Sequence, residues 1–498
     1  MNFYKLQNWI FLSVAIVGVT YLALIVGWYA SLDTYVDHAL PNIAIRSWRL
    51  LSGLDLYYSA ESINFMAGVY GPLLNIANGL ILWIFGGNLA TSNLAGGIAL
   101  FVGLAAISLH LFRTSDRDVA AVGVIMFLGI IFAVSPLSFW TRPDPFILML
   151  VCVAVASSGL QKYGTYAPHA AVAVCIGLAV NFKAHAFIYF IPIVFRYCAA
   201  RWYVSWPLMA VLSVGVFLLP FGLPSISLEL YLGRLFDMVG GRTISLDLLR
   251  TVLKYSTLFL SPIIALAAVW WWARPRIEVR NIWYLGTFIL SICVGIYSAS
   301  VPGAGWYHLL PFVPASVDLF SKFAQSLNDN PAPRMGILGV FFLVFVIISI
   351  TPQKRLWRTY DRLSAMSPVA DEIRGILKKY PGKSIEMGYG RDVAVTYSLT
   401  NPRPLLAFAG NPTTVTGPSA MEMRYQGKPV STVLLEHIRG CKTDLWLIPK
   451  AERPFAMNNY FKNEPAFWAE FQEAFSAAYE RRTALDYFDV WACKGSHK

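Results

Sequence analysis

Apolar runs long enough to cross a bilayer recur almost without interruption between residues 9 and 350. Crossing the hydrocarbon takes about 20 helical residues, and lipid offers no hydrogen bonds to an open backbone, so runs of this length commit the chain to a bundle of helices. Only 14% of the 498 residues are charged, against roughly 25% in a soluble domain. The chain therefore reads as a polytopic α-helical membrane protein. Beyond residue 351 charges, prolines and glycines return at ordinary soluble density. This texture predicts a membrane domain over residues 1–351 and a small soluble domain over residues 352–498.

The first run, residues 9–30, is long and lacks a small-x-small cleavage pattern, which favours a retained anchor over a cleaved signal. A net charge of +12 in a soluble protein would point to nucleic acid. Here many basic residues lie in short loops between apolar runs, so topology and membrane lipids account for them and no nucleic-acid partner is expected. Basic loops at 113–118, 161–169, 196–202, 274–280 and 321–334 are each separated by two apolar segments, so all five fit the cytoplasmic side together. The segment from Pro72 to Phe85 is short and begins with proline; it is expected to lie at the interface or re-enter. This leaves about eleven spans and a cytoplasmic N-terminus.

The opposite side then collects four groups of residues unusual for a membrane edge, where charge costs a few kcal/mol and function is the default reading. They are Asp33 and Asp37 after the first span; Arg142 and Asp144 in "TRPDP"; Lys183 and His185 in "NFKAH"; and Tyr307 and His308 in "GWYHLLP". Each has a plainer alternative. Asp33 suits an N-cap, with Asp37 one turn later on the same helical face. Arg142 and Asp144 suit a local ion pair, Lys183 and His185 snorkelling, and Tyr307 and His308 an aromatic belt. Their shared side favours the functional reading: together they offer a general base, a phosphate clamp and rings for stacking on a sugar.

An external acid, then "GLDLYYS…GVYGPLL" over residues 53–74, then "RPD", then "YHLLPF", resembles the GT-C glycosyltransferases, which include aminoarabinose transferases and protein O-mannosyltransferases. The resemblance implies a GT-C-like membrane domain with a small C-terminal α/β domain. It implies transfer of a sugar from a polyprenyl-phosphate carrier to a glycan, lipid or protein acceptor of the cell envelope, with inversion. The setting it implies is a bacterial inner membrane with the active site and the C-terminal domain in the periplasm. By the same resemblance Asp37 or Asp33 is the base, and Arg142, Lys183 and Arg242 bind the departing phosphate. Asp144 orients Arg142 or helps hold a metal, Tyr307 and His308 line the donor pocket, and His185, Tyr70 and His38 complete the substrate-binding set. Family members often carry two adjacent acids, whereas here Asp33 precedes Thr34 and Asp37 precedes His38. The choice of base thus stays open between them. So does a divalent cation, for which Asp37 with His38 is the candidate site. The rival reading is a transporter or flippase of lipid-linked glycans, since charges at membrane depth also mark substrate paths; the sequence shows no inverted repeat.

Cys152, Cys175, Cys198 and Cys293 lie in or beside apolar runs as small hydrophobes, whereas Cys441 and Cys493 sit in the tail, where an oxidising compartment would let them bridge. In the tail, residues 371–380 read as a helix, "KSIEMGYG", "DLWLIP" and "YFDVWAC" as strands, and residues 431–440 and 465–482 as amphipathic helices. No phosphate-binding glycine motif or nucleophile elbow is present, which assigns the tail a supporting role.

Overall fold

The computed structural model describes residues 3–199, 202–239, 243–273, 278–328, 331–459 and 463–495. The chain divides into two compact units, neither continuous in sequence. One comprises Met1–Tyr29, Leu94–Leu219 and Arg242–Arg358; the other comprises Ala30–Asn93, Pro220–Gly241 and Thr359–Lys498. This division differs from the expected cut at residues 351 and 352, because two segments from between the apolar runs pack with the tail.

Among the described residues seven helices are long and apolar enough to cross a membrane, the first being Leu6–Ala30 and the last beginning at Ala332. Pro72–Phe85, Ala167–Phe182 and Ala184–Tyr197 are apolar but shorter. In the first unit, close helix packing depends on small residues, as expected where apolar surface gains little by leaving lipid. A Cβ on Gly177 would lie 2.5 Å from the Ser213 carbonyl oxygen, so only glycine lets Ala167–Phe182 meet Trp202–Leu218 at this distance. Ser213 Oγ and Asn181 Nδ2 then bond carbonyls across the same interface. Elsewhere, buried Asp318 lies 3.0 Å from His110 Nε2 and accepts from Tyr197 Oη, tying three helical segments together.

The second unit is built on a four-stranded sheet of β1 (Ile385–Met387), β2 (Leu445–Pro449), β3 (Tyr479–Ala484) and β4 (Phe488–Cys493), in the order β1-β2-β4-β3. β1 and β2 run parallel; β4 is antiparallel to both β2 and β3. Successive side chains of a strand point to opposite faces, and every residue of β2 is buried. Leu445 and Leu447 join Ile373, Ile376 and Phe488 on one face, while Trp446 and Ile448 join Phe455, Phe471 and Phe475 on the other. Helices thus cover both faces, giving the expected α/β tail. The expected helix over 465–482 is shorter than its pattern suggested: it spans Ala469–Ala478, and "YERRTA" leaves it as strand β3, paired to β4. Edge pairing overrides helical periodicity there.

Helix Pro72–Phe85 packs on helix Leu40–Leu51, with Asn78 Nδ2 donating to Ser47 Oγ at 3.3 Å. Its 14 residues reach about 21 Å, short of the roughly 30 Å hydrocarbon core. Leu80, Trp83, Ile84 and Phe85 are exposed, leaving an apolar face of the kind an interfacial helix presents.

Cys441 and Cys493 form a disulfide across a sequence separation of 52. The chain-entropy relation values such a closure at about 4 kcal/mol. Cys493→Ser should therefore lower the unfolding temperature of the second unit, read by limited proteolysis of the detergent-solubilised protein on heating. An unchanged digestion temperature would show that the bridge contributes nothing.

Candidate active site

The first unit gathers the predicted cations and rings into one buried cluster. Arg142 precedes helix Pro143–Ala156, whose first residue is a proline suited to that position, and Asp144 stands in its first turn, where the helix dipole favours an acid. Lys183 directly follows helix Ala167–Phe182, where the dipole favours a cation. The two ends meet: Lys183 Nζ donates to Asp144 Oδ1 at 3.1 Å, with Asp144 1% and Lys183 7% exposed. The Arg142 guanidinium lies 4.4 Å from the Trp140 ring centre and 5.1 Å from that of Tyr307, a cation–π arrangement.

Tyr307 and His308 come from the short turn Trp306–Phe312. A Cβ on Gly305 would sit 2.7 Å from the Tyr307 ring, so glycine sets that ring's position. The His308 ring is 5.8 Å from that of His185, and Tyr189 Oη donates to the His308 carbonyl at 2.7 Å. Asp144 Oδ2, His185 Nε2 and His308 Nδ1 are buried with no hydrogen-bond partner among the described residues. Buried polar atoms are normally satisfied, and a cluster of two cations, two imidazoles and one carboxylate has the character of an anion site. Trp140 was not singled out in the sequence, although it stands two residues before Arg142 in "FWTRPDP". Its loop is seated by Gly96, where a Cβ would fall 2.0 Å from the Trp140 carbonyl oxygen.

The second unit carries both acids, and their surroundings differ. Residues 31–39 form turns and bends, and the helix begins at Leu40. Asp33 is therefore no N-cap, and it shares no helical face with Asp37, contrary to the sequence reading. Instead Arg374 grips both Asp33 oxygens, at 2.6 and 3.3 Å, and the ion pair raises the Arg374 pKa. The local turn is made by Asp37, whose Oδ1 accepts from the Ala39 N–H at 2.8 Å, while Oδ2 lies 3.9 Å from His38 Nδ1. His38 stacks on Tyr397 at 4.6 Å, and its carbonyl accepts from Arg403 Nη2 at 3.1 Å. Arg403 also donates to Asn42 Oδ1 at 2.7 Å, and Asn401 holds the Tyr35 carbonyl. The tail thus shapes the acid-bearing loop through residues more than 300 positions away, for which the sequence gave no local signal. Tyr70 accepts a hydrogen bond from Tyr57 Oη at its carbonyl, 3.0 Å away. Arg242 lies outside the described residues. Among the described residues no three His, Cys, Asp or Glu side chains converge as a metal-binding group, and Asp37 with His38 supplies two donors only.

The fold matches that of a solved membrane-protein structure over nearly the whole chain. The chain is similar to ArnT from Cupriavidus metallidurans, whose apo crystal structure it matches with a TM-score of 0.59 at 13% identity, over 96% of this chain and 98% of that one. The crystal structure of ArnT bound to undecaprenyl phosphate matches with a TM-score of 0.58 at 12% identity, over 97% and 98% of the two chains. No family model matches the sequence, and no curated protein does.

Removing one partner of a buried ion pair strands the other, at a cost of about 3–5 kcal/mol. Lys183→Met should destabilise the protein by this order, and Lys183→Met with Asp144→Asn should recover most of it, read by thermal unfolding in detergent. A double variant as unstable as the single one would refute the pairing as the cause.

Proposed function

We propose that this protein is an integral membrane glycosyltransferase that moves a sugar from a polyprenyl-phosphate carrier to a cell-envelope acceptor on the periplasmic face of a bacterial inner membrane. The observation that carries this reading is the buried Arg142–Lys183–His185–His308 cluster, which has more cations and imidazoles than acids and whose chemistry suits a phosphate. The fold shared with ArnT, crystallised with undecaprenyl phosphate, agrees with it. The disulfide in the unit bearing the acids fits an oxidising compartment.

Asp37 takes the proton of the acceptor hydroxyl, whose oxygen attacks the anomeric carbon. The bond from that carbon to the phosphate oxygen breaks on the opposite face, so the configuration inverts. Negative charge grows on the departing polyprenyl phosphate, where Arg142 and Lys183 stabilise it without reorganising. Tyr307, His308 and His185 bind the donor, and Tyr70 and His38 the acceptor. Asp37 is preferred over Asp33 because both Asp33 oxygens are engaged by Arg374, which lowers their readiness to accept a proton. No step is assigned to a metal.

The test is sugar transfer from polyprenyl-phosphate sugars to envelope acceptors. Asp37→Asn should lower kcat by at least 100-fold, the lower range for a general base. Asp33→Asn should act more weakly, since a half-exposed ion pair is worth about 1 kcal/mol or less. Transfer retained in Asp37→Asn would overturn its role. Carrier-stimulated lipid movement without any transfer would favour the transporter.

A further inference from the structure

The second unit contains a cavity of about 270 Å³ that none of the roles above uses, formed by residues 58–67, the helix Leu228–Val239 and residues 422–428. Its size lies near the lower end of ligand pockets, roughly 300–1,000 Å³. At its wall Arg234 is 7% exposed; its two terminal nitrogens donate to the Met66 and Tyr58 carbonyls, and its Nε–H is buried with no hydrogen-bond partner among the described residues. Two rings line the cavity and both are held by guanidinium groups: Arg234 lies 4.6 Å from the Phe65 ring centre and Arg49 lies 5.2 Å from that of Tyr58. Rings fixed in this way offer stacking surface at low entropic cost.

The lining selects among ligand classes. Glu229, Asp237 and Glu422 set three carboxylates against two cations, Arg234 and Lys428, and Lys428 is already paired with Asp237. An added phosphate would meet net repulsion. An acyl chain would strand these polar groups; the cavity suited to one is in the other unit, about 430 Å³ and lined by side chains such as Ile176, Val180, Met209 and Phe217. A neutral polyhydroxy ring satisfies the walls. Its hydroxyls donate to carboxylates, its oxygens accept from the Gln426 amide, and its C–H face lies on an aromatic ring.

We propose that this cavity binds a neutral sugar ring, and that it is where a saccharide acceptor docks. Sugar binding stands by itself; the word acceptor rests on the glycosyltransferase reading. The test is saturation-transfer NMR on the detergent-solubilised full chain with methyl glycosides of glucose, galactose, mannose and N-acetylglucosamine. Inorganic phosphate and hexa-alanine serve as the other probes. At least one glycoside should bind, and Gln426→Ala and Glu229→Gln, both at partly or fully exposed positions that do not endanger folding, should each weaken it about 3- to 10-fold, as for a lost hydrogen bond. Phe65→Ala should weaken it further. Failure of every glycoside to bind, binding indifferent to Gln426→Ala and Glu229→Gln, or capture of phosphate or peptide in place of sugar would each overturn the proposal. If glycosides bind through these residues but no transfer is detected, the cavity stands and the enzyme reading falls. If transfer to a saccharide proceeds with the acceptor KM unmoved in Gln426→Ala, the enzyme stands and the cavity proposal falls.

Discussion

The ion pair of Lys183 with Asp144 is the constraint around which the first unit's site is arranged. Both groups are almost fully buried, so neither tolerates the loss of the other. Each is the charge that its own helix end favours, an acid at the start of Pro143–Ala156 and a cation after the end of Ala167–Phe182. Joining them fixes two helix ends where the regular backbone stops. Arg142 and His185, each within two residues of one partner, are positioned by the same bond.

Beside the pair of Asp144 with Lys183, the Arg142 guanidinium lies against the rings of Trp140 and Tyr307. The buried polar atoms His185 Nε2 and His308 Nδ1, with no hydrogen-bond partner among the described residues, lie in the same cluster.

The second unit separates two acids that look equivalent in sequence. Arg374 binds Asp33, while Arg403, Asn401 and Tyr397 fix the backbone and ring around Asp37 and His38. The tail therefore contributes more than bulk to the acid-bearing loop: Arg374 pairs with Asp33, while Asp37 closes a turn. The same unit braces Phe65 and Tyr58 with arginines, giving rigid walls to a cavity rich in hydroxyl-binding groups.

Much of this protein was legible in its residues. Long apolar runs dictated helices because lipid leaves the backbone no other partner, and the strands of "DLWLIP" and "YFDVWAC" followed from β-forming side chains between turns. Arg142, Asp144, Lys183, His185, Tyr307 and His308 stood out because charge and aromatic residues at membrane edges are costly or placed for a reason, and the first unit does bring them together. Sequence texture alone placed residues 30–93 and 220–241 with the membrane runs, since composition records how polar a segment is and says nothing of what it packs against. The end of helix Ala469–Ala478, the grip of Arg374 on Asp33 and the Cys441–Cys493 bond depend on partners tens to hundreds of residues away. Local patterns thus fixed the kind of element and the kind of chemistry, because propensity, hydrophobicity and charge are properties of short stretches. Only the tertiary structure decided which acid pairs with Arg374 and which rings hold which cations, because those outcomes are set by contacts that chain distance does not encode.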